Sequence, residues 1–156
     1  MYDIRRALPE DAAALTAIAR AAKAHLGYPV EWLDAWDAAL TVDAAYLALH
    51  PVWLAVACGA MTPAGFVALV DEGDRWRLDH LWVAPEHQGR GLGRQLWNTA
   101  LAGARERRPG AVRIEAEPRS AKFYQHCGAR LVGHVAAPVL GEARLLPVFE
   151  ITVAGG

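Results

Sequence analysis

Cysteine is scarce, charge of one sign is not in excess and no long apolar run occurs in the 156 residues. Each shortage excludes a class of protein. Only Cys58 and Cys127 are present, without CxxC or Cys/His spacing. Neither a disulfide framework nor a zinc site is therefore expected, no metal is required, and both thiols read as reduced and structural. Sixteen basic residues against seventeen acidic ones leave a formal charge of −1, so no bulk electrostatic pull toward nucleic acid or anionic lipid is expected. Any anion has to be bound locally. No stretch reaches bilayer length, and the N-terminal MYDIRRALPED lacks the apolar centre of a secretion signal, so a cytoplasmic location and no membrane partner are expected. At 54% hydrophobic content, the chain has the size and composition of a single domain over 1–156.

What is present is a succession of changing hydrophobic periods. YDIRRA reads as a short strand. Pro9 with Glu10 and Asp11 reads as a helix start, because proline suits the first helical position and acids suit the positive end of the dipole. Leu15, Ile18, Ala19 and Ala22 carry that helix to about Ala24, with Gly27 as its stop. VEWLDAWDAAL reads as one further helix, with Trp32 and Trp36 four apart. VWLAVAC, GFVALV and WRLDHLWV read as three strands joined by the turns GAMTPAG and DEGD. Leu92, Leu96, Ala100 and Ala104 form the apolar stripe of a helix ended by RERRPG. AVRIEAE then reads as a strand, SAKFYQHC as a short helix, and RLVGHV and PVFEITV as closing strands. The expected fold class is α/β (α+β), a mixed, mostly antiparallel sheet flanked by helices in the order βααβββαβαββ.

The stretch APEHQGRGLGRQLW places Gly89, Gly91 and Gly93 directly ahead of a helix. Free amides of a first helical turn and of a tight glycine turn form a concave donor array that suits phosphate oxygens. Arg90 and Arg94 add cationic charge at its rim, and Gln88 turns a polar side chain inward or caps the turn. A Walker-type loop is excluded, since GxxxxGK[ST] needs a lysine and a hydroxyl that are missing here. GRGLG is spaced GxGxG where the dinucleotide fingerprint needs GxGxxG. Glu115 or Glu117 imitates that fingerprint's ribose-binding acid, but only one further strand–helix unit follows, too little for a doubly wound fold.

VAPEHQGRGLGRQL resembles the pyrophosphate-binding motif of the GNAT superfamily of acyl-CoA-dependent N-acyltransferases, with Gln88, Gly91 and Gly93 at its fixed positions. LDHLWVAP is similar to that family's central strand, and KFYQHCGARLVG to its second motif on the CoA side. The motifs run from about Leu78 to Gly133, and the coarse order of elements extends over the whole chain. The resemblance implies acetyl-CoA, or another acyl-CoA, as co-substrate. Its pyrophosphate would lie on Gln88, Gly89, Arg90, Gly91, Leu92, Gly93 and Arg94, and its pantetheine arm along Leu81, Trp82 and Val83. There the central strand splays from its neighbour, and a backbone N–H polarises the thioester carbonyl.

The implied reaction is direct attack of an amine on the thioester. An alkyl amine is mostly protonated at neutral pH, so a base is wanted. Asp79 and His80 are the nearest titratable residues and point to opposite faces if the strand is regular. His80 is favoured because imidazole titrates near neutrality, with Glu115 in reserve. Tyr124 matches the tyrosine that protonates the departing thiolate in the family. Two departures stand out. Glu117, Pro118 and Arg119 occupy the loop where an asparagine often contacts the cofactor, leaving Glu117, Arg119 or Ser120 to do so, and Ala129 replaces a phenylalanine.

The acceptor pocket of this fold is commonly walled by the first helices and the last strands. That puts Tyr28, Trp32 and Trp36 on one side, and His134 with AAPVLGEARLLP on the other. An aromatic wall suits an apolar or cationic amine. The leading expectation is a small-molecule N-acetyltransferase. A protein or peptide N-acetyltransferase and a non-catalytic acyl-CoA sensor are the alternatives, and a homodimer, common among relatives, is left open.

Overall fold

In the computed structural model, which describes residues 1–155, strand β1 (Tyr2–Arg6) leads through a 3-10 turn at Pro9–Asp11 into helix α1 (Ala12–His25). Gly27 follows at φ +85, a left-handed stop. The single helix expected over VEWLDAWDAAL is broken at Trp36, giving α2 (Val30–Ala35) and α3 (Asp37–Leu40). A further helix, α4 (Ala44–Leu49), was not anticipated, although Asp43 caps it by accepting from the Tyr46 amide at 2.8 Å. Then follow β2 (Val52–Ala57), β3 (Pro63–Asp71), β4 (Trp76–Val83), α5 (Leu92–Arg107), β5 (Gly110–Glu115), α6 (Ala121–His126), β6 (Arg130–Ala136) and β7 (Leu145–Val153).

The strands form one seven-stranded sheet in the order β1-β2-β3-β4-β5-β7-β6. Every pairing is antiparallel except β4 with β5. The mixed sheet flanked by helices is the expected fold class. Its two faces carry separate cores. Trp97, Leu96, Val67, Leu69, Ile114 and Phe149 pack beneath α5 and α6. Leu15, Ile18, Leu47, Leu54, Phe66 and Ala68 pack beneath α1, α3 and α4. Strand β3 serves both, which is why VALV reads as a continuous apolar run without alternation.

Two irregularities of β4 position the site. Its register against β3 runs Val67↔Leu81, Ala68↔His80, Leu69↔Leu78, so Asp79 is an extra residue in a β-bulge. Trp76 and Leu78 face the α5 core before the bulge, Leu81 and Val83 face it afterwards, and Trp82 turns to the opposite core. Against β5, β4 is paired only at Trp76↔Val112 and Arg77↔Arg113. Beyond Arg77 the two strands part, and among the described residues the main chain of Leu78–Val83 pairs with no strand on that side. Bulges bend and over-twist a strand, and the parting begins beside this one.

Candidate active site

The wedge between β4 and β5 opens into a cavity of about 730 Å³, within the range that accommodates small ligands. Leu81, Trp82 and Val83 form one wall, Gln88, Gly89, Gly91, Leu92, Gly93 and Arg94 one end, and Lys23, Glu117, Arg119 and Arg144 the other. Ser120, Lys122, Phe123 and Tyr124 lie between the two ends.

The glycine end is a donor array. The first main-chain bond after the loop runs from Gln95 N–H to Gly91 O at 3.2 Å, and among the described residues the amides of 89–94 donate to no backbone carbonyl. Gly89 and Gly91 hold φ of +77 and +79, and an added Cβ at either would meet nothing within 4 Å. Backbone here is bare, left-handed and open. Gly93 answers a different need, since a Cβ there would stand 3.3 Å from Phe123 Cε1, so it sets the approach of α6 to α5. Among the described residues the first turn of α5 has no acid to compete for the amides, and Arg94 stands in it. Gln88 does not reach into the array with its side chain; Nε2 donates to Val83 O at 3.0 Å and secures the end of β4. The Arg90 side chain lies instead over a small depression with Met1, Tyr2, Ala57 and Cys58, so only its main chain belongs to the array.

Asp79 and His80 do not point to opposite faces, because the bulge removes the alternation that expectation assumed. Tyr46 Oη donates to Asp79 Oδ2, and the Tyr46 ring also meets the His80 ring edge-on at 5.7 Å. Arg77 donates to the other carboxylate oxygen. Burial alone would raise the Asp79 carboxyl, but the Tyr46 hydrogen bond and the His80 and Arg77 charges outweigh it and hold it below the usual range. His80 is 6% exposed. Its Nδ1 accepts from Trp82 Nε1 at 3.1 Å; indole only donates, so the imidazole proton sits on Nε2, 3.7 Å from Asp79 Oδ2. In this arrangement no lone pair of His80 is free to take a proton from an acceptor. Glu115 lines the cavity from β5, partly exposed and tied to Arg113 at 3.2 Å.

Burial lowers the His80 pKa below its ordinary value of 6.5, so the unfolded chain takes up this proton at a higher pH than the folded one. Stability is therefore expected to fall as pH drops below about 6.5, and to fall again in acid as the depressed carboxylates Asp79 and Glu117 protonate. Thermal unfolding followed from pH 8 to 5 checks this. His80→Gln is expected to flatten the first decline, and an unchanged slope in that variant would refute the assignment.

Tyr124 is buried among Trp97, Phe123 and Phe149. Its hydroxyl makes no hydrogen bond among the described residues, yet it is not sealed off, and the side chain lines the cavity. Burial pushes its pKa above the ordinary phenol value.

The acceptor end differs most from expectation. Glu117 does not reach toward the glycine loop. Its carboxylate accepts from Lys23 Nζ at 2.7 Å, Arg144 Nη2 at 3.0 Å, the Arg119 amide at 3.2 Å and Tyr28 Oη. Tyr28, Trp32 and Trp36 cluster with centroids 5.0 to 5.8 Å apart, but they stand behind the cavity wall. Their faces carry the protein's own cations, with Lys23 4.0 Å from the Trp36 centroid and Arg119 4.1 Å from that of Tyr28. His134 is exposed on β6 and is not part of the cavity, because β7 intervenes between β6 and β5. Lys23 had a sequence signal that went unread: it continues the buried stripe of Ala19 and Ala22 on α1. Arg144 had none, since it lies in an irregular segment.

The acetyltransferase (GNAT) family model matches residues 13–129. Among solved structures, a GCN5-related N-acetyltransferase from Rhodopseudomonas palustris is 26% identical, with 96% of this chain and 94% of that chain covered and a TM-score of 0.79. YncA of Salmonella typhimurium, solved with its cofactor acetyl-CoA, is 21% identical over 100% of this chain and 96% of that chain, with a TM-score of 0.75. PaiA N-acetyltransferase of Thermoplasma acidophilum, in complex with coenzyme A, is 17% identical over 97% and 99% of the two chains, with a TM-score of 0.75. No curated protein sequence matches the chain.

Proposed function

The chain belongs to the acetyltransferase (GNAT) family, and from that premise we propose that its single domain moves an acetyl group from acetyl-CoA to a primary amine of a small molecule by direct attack in a ternary complex. The open, unpartnered amides of residues 89–94 suit a diphosphate, and the bare edge of β4 suits an amide-containing arm, so the residues present fit acetyl-CoA. That co-substrate supplies the activated acyl group. Residues 88–94 bind it at the diphosphate, with Ser120 beside them, and the main chain of Leu81–Val83 orients the thioester and polarises its carbonyl.

Asp79 is the best supported base. It lines the cavity, is held ionised and keeps acceptor directions beyond those taken by Tyr46 and Arg77, whereas His80 has no free lone pair and Glu115 is the more exposed carboxylate. The amine nitrogen forms a bond to the acetyl carbon, and its proton passes to Asp79, through water where the gap requires it. The carbon–sulfur bond breaks, and Tyr124 Oη donates a proton to the departing sulfur and is reprotonated from solvent.

One observation favours a small acceptor over a peptide. Arg144, just ahead of β7, bonds Tyr28 Oη at 3.1 Å and Glu117 at 3.0 Å, which latches the β7 side to the α1–α2 side across this end. Such a latch leaves less room for a peptide chain than for a small amine. Thiol release from acetyl-CoA across small amines and peptides tests the reading, with turnover expected only for the former. Tyr124→Phe is expected to lower kcat by about 100-fold with little change in the KM for acetyl-CoA, the low end of a general-acid effect. Coenzyme A binding without turnover on any acceptor would leave a sensor instead.

A further inference from the structure

The acceptor end has an excess of cations around a carboxylate that has no capacity left. Lys23 and Arg144 converge there on Glu117, while the Arg119 guanidinium lies over Tyr28 and donates to Leu26 O. A carboxylate offers about four acceptor directions. Those of Glu117 are taken by Lys23 and Arg144 on Oε2 and by Tyr28 and the Arg119 amide on Oε1. An incoming ammonium would find no acceptor on this wall. The aromatic faces are also in use, since Lys23, Arg119 and Arg144 all lie over Tyr28 or Trp36.

Donors remain free. Both bonds of Arg144 come from Nη2. Its Nε and Nη1 bond nothing among the described residues and keep access to solvent, and Arg144 lines the cavity. The Arg144 side chain is only 10% exposed and that of Lys23 11%, so charge there is weakly screened by solvent. The Tyr28 stack and the Glu117 bridge hold the guanidinium in place, which reduces the cost of ordering it when a ligand binds. Asp79, on β4, lines the same cavity.

We infer that the acceptor carries a carboxylate as well as its amine, an amino acid or a close relative, with the carboxylate received by the unbonded Nη1 of Arg144 and by Lys23 while the amine lies toward Asp79. The inference rests on the acetyltransferase reading. It reverses the sequence-based expectation of a cationic acceptor, since the wall that was to attract a cation already holds three of its own.

The experiment compares each common L-amino acid and β-alanine as free acid, carboxamide and decarboxylated amine, scored by kcat/KM for thiol release from acetyl-CoA. The free acid of the best acceptor is expected to be favoured over its carboxamide by about 30-fold, the order of a charge-assisted bond. In Arg144→Gln the ratio is expected to fall to within about 3-fold, and Arg144→Lys, which keeps the charge but gives up the planar donor set that also holds Tyr28 and Glu117, lies between. The inference is overturned if the wild type favours the carboxamide or amine, or if the ratio is unchanged in Arg144→Gln. It is equally overturned if the enzyme prefers succinyl-CoA to acetyl-CoA and Arg144→Gln abolishes that preference, because the carboxylate would then belong to the acyl group. Absence of thiol release from every amine would sink the acetyltransferase reading itself. Calorimetry of the free acids against protein saturated with coenzyme A then decides the inference: heat that Arg144→Gln removes supports it, and no heat overturns it.

Discussion

Gly91→Asp is expected to raise the KM for acetyl-CoA by about 100-fold or more while the protein stays folded. Gly91 is left-handed at φ +79, and an added Cβ would meet nothing of the protein within 4 Å. Aspartate and asparagine tolerate this region better than other side chains, so the backbone cost is about 1 kcal/mol, a few degrees in Tm for a chain of this size. A carboxylate about 5 Å from a diphosphate at an effective dielectric of about 20 costs about 3 kcal/mol for each opposing charge, which sets the fold-change. Gly91→Asn has nearly the same shape without the charge and is expected to lose about 10-fold or less. Initial rates at varied acetyl-CoA, with thermal melts of both variants, separate the effects. Equal KM values in Gly91→Asp and the wild type would remove the diphosphate from this loop.

The second large effect is structural and reaches the site through the sheet. Gly65 on β3 faces Val83 across the ladder, and a Cβ there would stand 2.8 Å from Trp82 O and 3.1 Å from Leu96 Cδ1. The first of these atoms is main chain and cannot swing aside. Gly65→Ala is therefore expected to cost about 1–3 kcal/mol, as overpacked interiors do, which lowers Tm by about 2–12 °C. Because the displaced strand is the one proposed to orient the thioester, kcat/KM is expected to fall as well. Gly133→Ala on β6 is the control: its Cβ would meet nothing within 4 Å, and its melting point is expected to stay within about 2 °C of the wild type. Equal melting points for the two variants would mean that β4 yields freely at Trp82.

Both variants act where backbone geometry decides, and such places differ in how plainly the sequence shows them. The open turn at Gly89 and Gly91 could be read directly, because glycine spacing is itself the signal of bare, left-handed main chain, whereas Gly93 serves the approach of α6 and Gln88 the end of β4. The β4–β5 wedge was an expectation carried by family resemblance; nothing in WRLDHLWV shows that pairing stops after Arg77. The bulge at Asp79 was invisible in the same way. It moved Asp79 and His80 to one side and set His80 Nδ1 against Trp82, which withdrew the base that titration alone had favoured. Tyr46 was missed because α4 is only six residues long, its one clear mark being the capping Asp43.

By itself, the sequence determined the succession of strands, the long helices α1 and α5, the glycine turn ahead of α5 and the identity of the family, because these depend on local periodicity and on contiguous residues. The tertiary structure alone decided the charge at the Lys23–Arg144 end of the cavity. Lys23, Glu117 and Arg144 are 94 and 27 residues apart along the chain, and the charge of a site is the sum over side chains that only the fold brings together. Three aromatic residues suggested an attraction for cations; packing supplied those cations from within the protein and left the cavity facing their positive edge.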